Sequence, residues 1–387
     1  MIEINSAFVT EPRATYARLR SQGPVHRATA PDGTSIWLVT RYADVRAALA
    51  DPRLSLDKKN SGGGYRGFSL PPALDANLLN MDAPEHARLR RIIGKAFAPR
   101  RIEPLRPRVQ QIADELLDAL NGQDEADLLP TYCAPLPITV ICELLGVDAA
   151  DRPDFRSWTD AMLAPETPGQ ARDALRALCR YLLDLIAAKR ANPGVDFLST
   201  LIELRDEEDR LSEDELTSAA FLMLFAGYEN TVNLLGNGLA ALLTRPSALA
   251  RARRGISPTT VDELLRFDPP PQLAIRRFPV ADVEIGGVTI PAGETVLLSL
   301  VSAHHDPDRY AEPDHLDLGR EDNPHLAFGH GPHYCLGASL ARMEGEIGFG
   351  ALLSRFPNLT LTVSEEELQW RNSFRNRGLR TLPVALG

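Results

Sequence analysis

The chain has 387 residues, 44% hydrophobic and 24% charged, the ordinary balance of a water-soluble globular protein. Its net charge of −10 disfavours nucleic acid or an anionic membrane as a main partner. The cysteines Cys133, Cys142, Cys179 and Cys335 form no C-x-x-C pair, so neither a zinc site nor a disulfide framework is indicated. The first residues show neither a basic nor an apolar leader region. The longest apolar run, Ala219 to Ala226, is far short of the ~20 residues that span a bilayer, so a cytoplasmic protein is expected.

In chain order, the pattern predicts a short helix over 13–21. A hairpin follows, with Val25–Ala28 and Ser35–Thr40 flanking Pro31-Asp32-Gly33, and then a helix over 43–50. Residues 60–72 are rich in glycine and read as a functional or disordered loop. Helical periodicity dominates from Pro84 to Lys189, with breaks expected at Pro99, Pro130, Pro137 and Pro165–Pro168. Ser212-Glu-Asp-Glu215 reads as a capping box. It opens a helix expected to run to Thr244, about 33 residues or ~50 Å, long enough to cross a whole domain. Alternating segments around Gly286-Gly287 predict strands at Val283–Ile285 and Val288–Ile290, continued by Thr295–Leu300, with a late hairpin around 368–384. No linker divides the chain, and the candidate site residues run from His86 to Cys335, so residues 1–387 are expected to form one large domain.

The stretch Phe328-Gly-His-Gly-Pro-His-Tyr-Cys-Leu-Gly337 carries the chemistry. One cysteine sits among glycines that permit backbone conformations closed to other residues, just before a helical pattern. Backbone N–H groups and the positive helix end stabilise a thiolate there. A single strongly donating Cys is what a haem iron needs to favour O–O cleavage.

This stretch resembles the haem-binding loop of the cytochrome P450 family, Phe-x-x-Gly-x-x-x-Cys-x-Gly, at Phe328, Gly331, Cys335 and Gly337, and His333 fits a common bacterial variant. The resemblance covers essentially the whole chain. It implies a mainly α, helix-rich haem-thiolate fold with small antiparallel β-sheets, haem b as cofactor and Cys335 as the iron ligand. Phe328, Gly337 and Ala226 would pack the haem, and His86, Arg90, Arg277 and His333 would hold its propionates. Glu263 and Arg266 match the family's Glu-x-x-Arg pair, whose third partner falls on His315 by position.

Ala226-Gly227-Tyr228-Glu229-Asn230-Thr231 resembles the oxygen-activation segment. Gly227 leaves room over the haem and Glu229 relays protons. Asn230 stands where a Thr is usual, so that Thr231, an ordered water or a substrate hydroxyl would take over the alcohol's part. By the same resemblance, substrate contacts are expected from the 60–80 loop, the helices around 155–185, the long helix near Leu222 to Ala226, the strand Gln272 to Arg276 with Gln272 and Leu273, and the turn Ser373 to Asn376 with Phe374, Arg375 and Asn376.

The implied activity is hydroxylation or epoxidation of a small organic molecule, free or carrier-protein-bound, of the kind that decorates polyketides, macrolides or peptides. The alternatives are oxidative coupling without oxygen insertion and, less favoured, a non-catalytic haem binder. Electrons would come from NAD(P)H through ferredoxin reductase and ferredoxin, acting on a monomer.

Overall fold

The computed structural model describes residues 2–65, 70–163, 167, 169–208 and 211–387. Parts of two segments singled out in the sequence, 60–72 and Pro165–Pro168, therefore lie outside the described residues. The architecture is mainly helical with small sheets. Its spine is the helix Glu213–Leu243, 31 residues and about 46 Å long at 1.5 Å per residue. The capping box forms as expected: Ser212 Oγ accepts from Glu215 N at 3.1 Å, and Glu215 Oε2 accepts from Ser212 N at 2.8 Å. This helix is apolar almost all round, as a helix enclosed by others must be. Leu216, Phe221, Leu224, Leu235 and Leu239 sit in one large core with Ile138, Ile141 and Phe349 from the flanking helices Pro135–Leu145 and Ala338–Arg355. Among the described residues no helix is long and apolar enough to cross a membrane.

The N-terminal helix spans Pro12–Gln22 and the hairpin pairs Val25–Thr29 with Ser35–Val39 antiparallel. Asp32 Oδ1 holds the turn by accepting from Thr34 N at 3.0 Å. The strands Val283–Ile285 and Val288–Ile290 also pair antiparallel. Gly286 and Gly287 both have positive φ, 56° and 79°, and a Cβ on Gly286 would lie 2.5 Å from the Pro24 ring, so the turn admits only glycine there.

Three sequence expectations change. The segment Thr295–Leu298 does not extend that hairpin. It pairs parallel with Ser35–Val39 and, with Ile2–Glu3 parallel at the other edge, makes the four-stranded sheet mixed rather than purely antiparallel. Val296, Leu297 and Leu298 are buried on both faces, which suits a covered parallel strand. The late hairpin survives only as the bridge Trp370↔Leu379, because Pro383–Ala385 leaves it to pair with Glu125–Asp127 and Thr360–Leu361. Pro137 breaks nothing: it lies in the first turn of Pro135–Leu145, where a missing N–H has no helical partner to lose.

The Glu-x-x-Arg pair lies at the centre of the structure. Glu263 and Arg266, in the helix Pro258–Phe267, are wholly buried and joined by two hydrogen bonds of 2.7 and 2.9 Å. Arg266 spends its other donors on the carbonyls of His304, Pro313 and His315. Glu263 accepts from Asp317 N and Asn323 Nδ2, and Arg320 forms an ion pair with it at 3.3 Å. The third side chain of the triad is thus Arg320, and His315 supplies only its carbonyl. Position in the sequence pointed to His315, but an imidazole five residues earlier cannot replace the guanidinium that the folded loop brings back to Glu263.

Removing one member leaves an uncompensated buried charge, which typically costs about 3–5 kcal/mol. Arg266→Ala is expected to lower the free energy of unfolding in urea titration by that amount, moving the midpoint down, with haem loading lost in parallel. A midpoint within experimental error of the wild type would refute the burial argument.

Candidate active site

The Cys335 loop is built by its neighbours. Cys335 N donates to Phe328 O at 2.8 Å and closes the loop on itself. Gly331 has φ 72° and passes the preceding helix Tyr42–Ala50 so closely that a Cβ would lie 3.0 Å from Ala50 Cα. Phe328 is buried beneath the loop, with the Arg342 guanidinium 4.7 Å from its ring centre.

Asp262, next to Glu263, grips the segments on both sides of the loop. It accepts from His325 at 3.0 Å and from Arg342 Nε at 2.7 Å. Burial raises the affinity of this carboxyl for protons, but His325 and Arg342 outweigh it, and its pKa falls below the usual range.

Cys335 is exposed and lines a cavity of about 340 Å³. Burial pushes its thiol pKa up, and the Gly337 N–H, Arg90 and Arg342 work against that shift. The helix Ala338–Arg355 begins directly behind it, with its positive end toward the sulfur side. A metal ion bound to this sulfur would remove the proton outright.

His86, Arg90, Arg277 and His333 all line the same cavity. The His86 and His333 rings lie 3.9 Å apart between centres, tilted by 41°. Burial, with His86 and Arg277 nearby, pushes His333 down to about 3, and burial pushes Arg277 down to about 10. His86 Nε2 and Arg277 Nε are buried without a hydrogen-bond partner. Arg90 donates to Tyr334 O at 2.5 Å. Four cationic or donor groups thus crowd one wall of the cavity, and Asp82, the carboxylate that acts on them, is already accepting from Ser55 and Leu56 N. A group bearing two carboxylates and an iron-binding centre, such as haem, fits this donor set: the propionates would supply the missing acceptors and Cys335 the axial sulfur.

The opposite contribution comes from the long helix. Leu222, Ala226, Gly227, Asn230 and Thr231 line the cavity, together with Leu273. Asn230 Nδ2 donates to Ala226 O at 3.1 Å and Thr231 Oγ1 to Gly227 O at 2.8 Å, so both side chains are tied to the preceding turn.

Glu229 is not among the lining residues. Its carboxyl points to the other side of the helix, where Asn376 Nδ2 donates to it at 3.1 Å and Arg371 lies 3.7 Å away. Burial raises its pKa against the opposing pull of Arg371 and Asn376.

Four candidate substrate residues are not brought to the cavity. Gln272 is buried, with its side chain turned to Ser373 O at 3.4 Å. Phe374 packs against the N-terminal core, Arg375 is exposed and stacks on Phe374, and Asn376 is committed to Glu229. The reason is common to all four: the 371–377 turn is stitched by its backbone to 270–273, which fixes its side chains away from the cavity. The helices Arg152–Leu163 and Gln170–Ala191 likewise contribute none of the residues lining the cavity.

Leu78, Leu79, Met223, Ala274 and Ile275 line the cavity, and all five fall within the segments 60–80, 222–226 and 272–276 from which the sequence led us to expect contacts. The sequence reading missed Glu344, a buried carboxyl at the cavity edge pushed up to about 8, because a lone acid in a helical pattern carries no local signal that it faces a cavity.

A family model for cytochrome P450 matches residues 170–259 and 257–375. The chain is 47% identical over 382 residues to the cytochrome P450 monooxygenase PikC of Streptomyces venezuelae, covering 97% of this chain and 91% of that protein. It is 42% identical over 396 residues to 6-deoxyerythronolide B hydroxylase of Saccharopolyspora erythraea, covering 99% and 98%. The tirandamycin C-bound P450 monooxygenase TamI superposes with a TM-score of 0.93 at 44% identity, over all of both chains.

Cys335→Ser is expected to abolish the red-shifted Soret band that a thiolate-ligated haem shows with carbon monoxide. A band that persists, or one that depends on Cys133, Cys142 or Cys179, would overturn the ligand assignment. Arg277→Ala leaves one carboxylate of a bound group unpaired, at about 3–5 kcal/mol. It should give low haem occupancy and a lower melting temperature, and full loading would show that this buried guanidinium does not hold the cofactor.

Proposed function

The chain belongs to the cytochrome P450 family and is a haem monooxygenase, and on that premise we propose that it hydroxylates or epoxidises a largely apolar polyketide- or macrolide-like natural product. One observation carries the reading: Cys335 and the Ala226–Thr231 turn of the long helix border the same cavity, whose lining away from the wall of His86, Arg90, Arg277 and His333 is largely apolar. The relatives named for 6-deoxyerythronolide B hydroxylation and for bound tirandamycin C support the substrate class.

When bound, haem supplies the activation of molecular oxygen. This chain's residues do the rest. Cys335 ligates the iron, and His86, Arg90, Arg277 and His333 hold the propionates. Phe328, Gly337 and Ala226 pack the cofactor's faces and rim. Leu222 and Leu273, with Leu78, Leu79, Met223 and Ile275, exclude water and orient an apolar substrate. Gly227 keeps the helix thin where the oxygen must fit.

Glu229 holds the proton that the reaction consumes, and burial, which raises its pKa above the usual carboxylate range, favours its proton-carrying form. Thr231 has donated its hydroxyl proton to Gly227 O, and Asn230 lacks a hydroxyl, so the last proton step runs through ordered water and a substrate hydroxyl. The chain carries no flavin or iron–sulfur motif, so electrons are assigned to NAD(P)H through ferredoxin reductase and ferredoxin.

Turnover under isotopically heavy O2 should place one heavy oxygen atom in the product. A product without it points instead to oxidative coupling. Asn230→Ala is expected to lose less than about tenfold in turnover, below ~1.4 kcal/mol of barrier. Removing the substrate hydroxyl nearest the reacting carbon should raise peroxide release far more. Loss of turnover in Asn230→Ala with a normally reacting deoxy substrate would make Asn230 itself the donor.

A further inference from the structure

The long helix separates two unlike spaces. On one side lies the apolar cavity bordered by Gly227, Asn230 and Thr231. On the other lies an open polar cleft of about 680 Å³, bordered by Glu229 and Tyr228 of the helix, by Arg156, Ser157 and Asp160 of the helix Arg152–Leu163, by Asp127, and by Arg371 and Arg380 of the C-terminal segment. Within the cleft Asp160 is already engaged, accepting from Tyr228 Oη at 2.7 Å and facing Arg156 Nε at 3.6 Å. The groups that bear directly on Glu229 are therefore Asn376 and Arg371.

Neither is placed by chance. Asn376 sits in an isolated bridge with Pro271, flanked by Gln272 N donating to Arg375 O at 2.8 Å and Arg377 N donating to Pro270 O at 2.7 Å. Arg371 is held by its own backbone N–H to Gly378 O at 2.9 Å and by Nε to Leu379 O at 3.3 Å. Both side chains thus stand on rigid backbone, as a group that must orient another requires.

We propose that Asn376 and Arg371 are positioning residues that hold the Glu229 carboxyl toward the polar cleft, so that Glu229 exchanges protons with water from this side and not through the substrate cavity. The inference rests on the reading of Glu229 as the proton-relaying acid. A donor N–H and a guanidinium both stabilise the ionised carboxyl, and they hold its oxygens off the apolar side of the helix. The same turn is bonded to Pro270, Pro271 and Leu273, and these residues border the substrate cavity. The acid's orientation is therefore fixed by the strip of chain that the substrate touches.

The test uses the haem-loaded protein and infrared difference titration of the Glu229 carboxyl, identified by its disappearance in Glu229→Gln. Both partners favour the ionised form, so losing either one raises the midpoint. Arg371→Gln should raise it by about one pH unit, Asn376→Leu by less, and Arg371→Lys should restore it. The pH profile of product formed per NAD(P)H should move in the same direction in the same variants, with haem content unchanged. Ala161→Phe, which places a ring in the cleft, should lower product per NAD(P)H without changing substrate binding.

Unmoved midpoints in Arg371→Gln and Asn376→Leu, while Glu229→Gln still uncouples the enzyme, overturn the proposal and leave the relay reading intact. Unchanged coupling in Ala161→Phe overturns the assignment of the cleft. Full coupling in Glu229→Gln overturns the relay reading and, with it, the functional half of the proposal.

Discussion

The site depends on one buried ion pair. Glu263 and Arg266 are both removed from water, and such a pair is retained only when nearly every donor and acceptor is matched. Here the matching partners are the carbonyls of His304, Pro313 and His315, the N–H of Asp317 and the side chains of Asn323 and Arg320. A stretch with little regular structure of its own is thereby pinned to a single helix. Asp262, on the same helix, then takes His325 and Arg342 from either side of the cysteine loop. The sulfur's position is inherited from that helix through two adjacent carboxylates. Of the two, Glu263 secures the approach to the loop and Asp262 secures the loop itself.

The cavity wall bearing His86, His333, Arg90 and Arg277 is a different kind of constraint. Its donors are turned toward a space they cannot satisfy themselves, and the low pKa of His333 comes first from burial and then from His86 and Arg277, with Asp82 pulling the other way. A dianionic cofactor would relieve this arrangement: it would supply acceptors to these donors, and any group that binds the folded form alone stabilises it in proportion to its affinity.

The long helix works as a partition. Residues one position apart project about 100° apart, so Glu229 and Asn230 face different spaces although they are neighbours in sequence. One side of the helix borders the apolar cavity, while the Glu229 carboxyl lies on the other side with Arg371 and Asn376, which oppose the rise in its pKa that burial causes.

How much of this was legible in the sequence follows from how local each cause is. The capping box at Ser212, the Gly286-Gly287 turn and the alternation on either side of it are set by residues within a few positions of one another, and they form as read. The fold family was legible for the same reason, because a glycine-framed cysteine followed by a helix is a local device. The pairing of Thr295–Leu298, the substitution of Arg320 for His315 and the turning of Asn376 toward Glu229 depend on contacts between distant segments, which no spacing rule encodes. Family resemblance placed the turn of Arg375 and Asn376 among the substrate contacts, and the resemblance does not say where these side chains point. Sequence determined which chemistry the chain carries and on which elements. Only the tertiary structure decided which side of each element the chemistry faces, because that is fixed by the backbone of whatever packs against it.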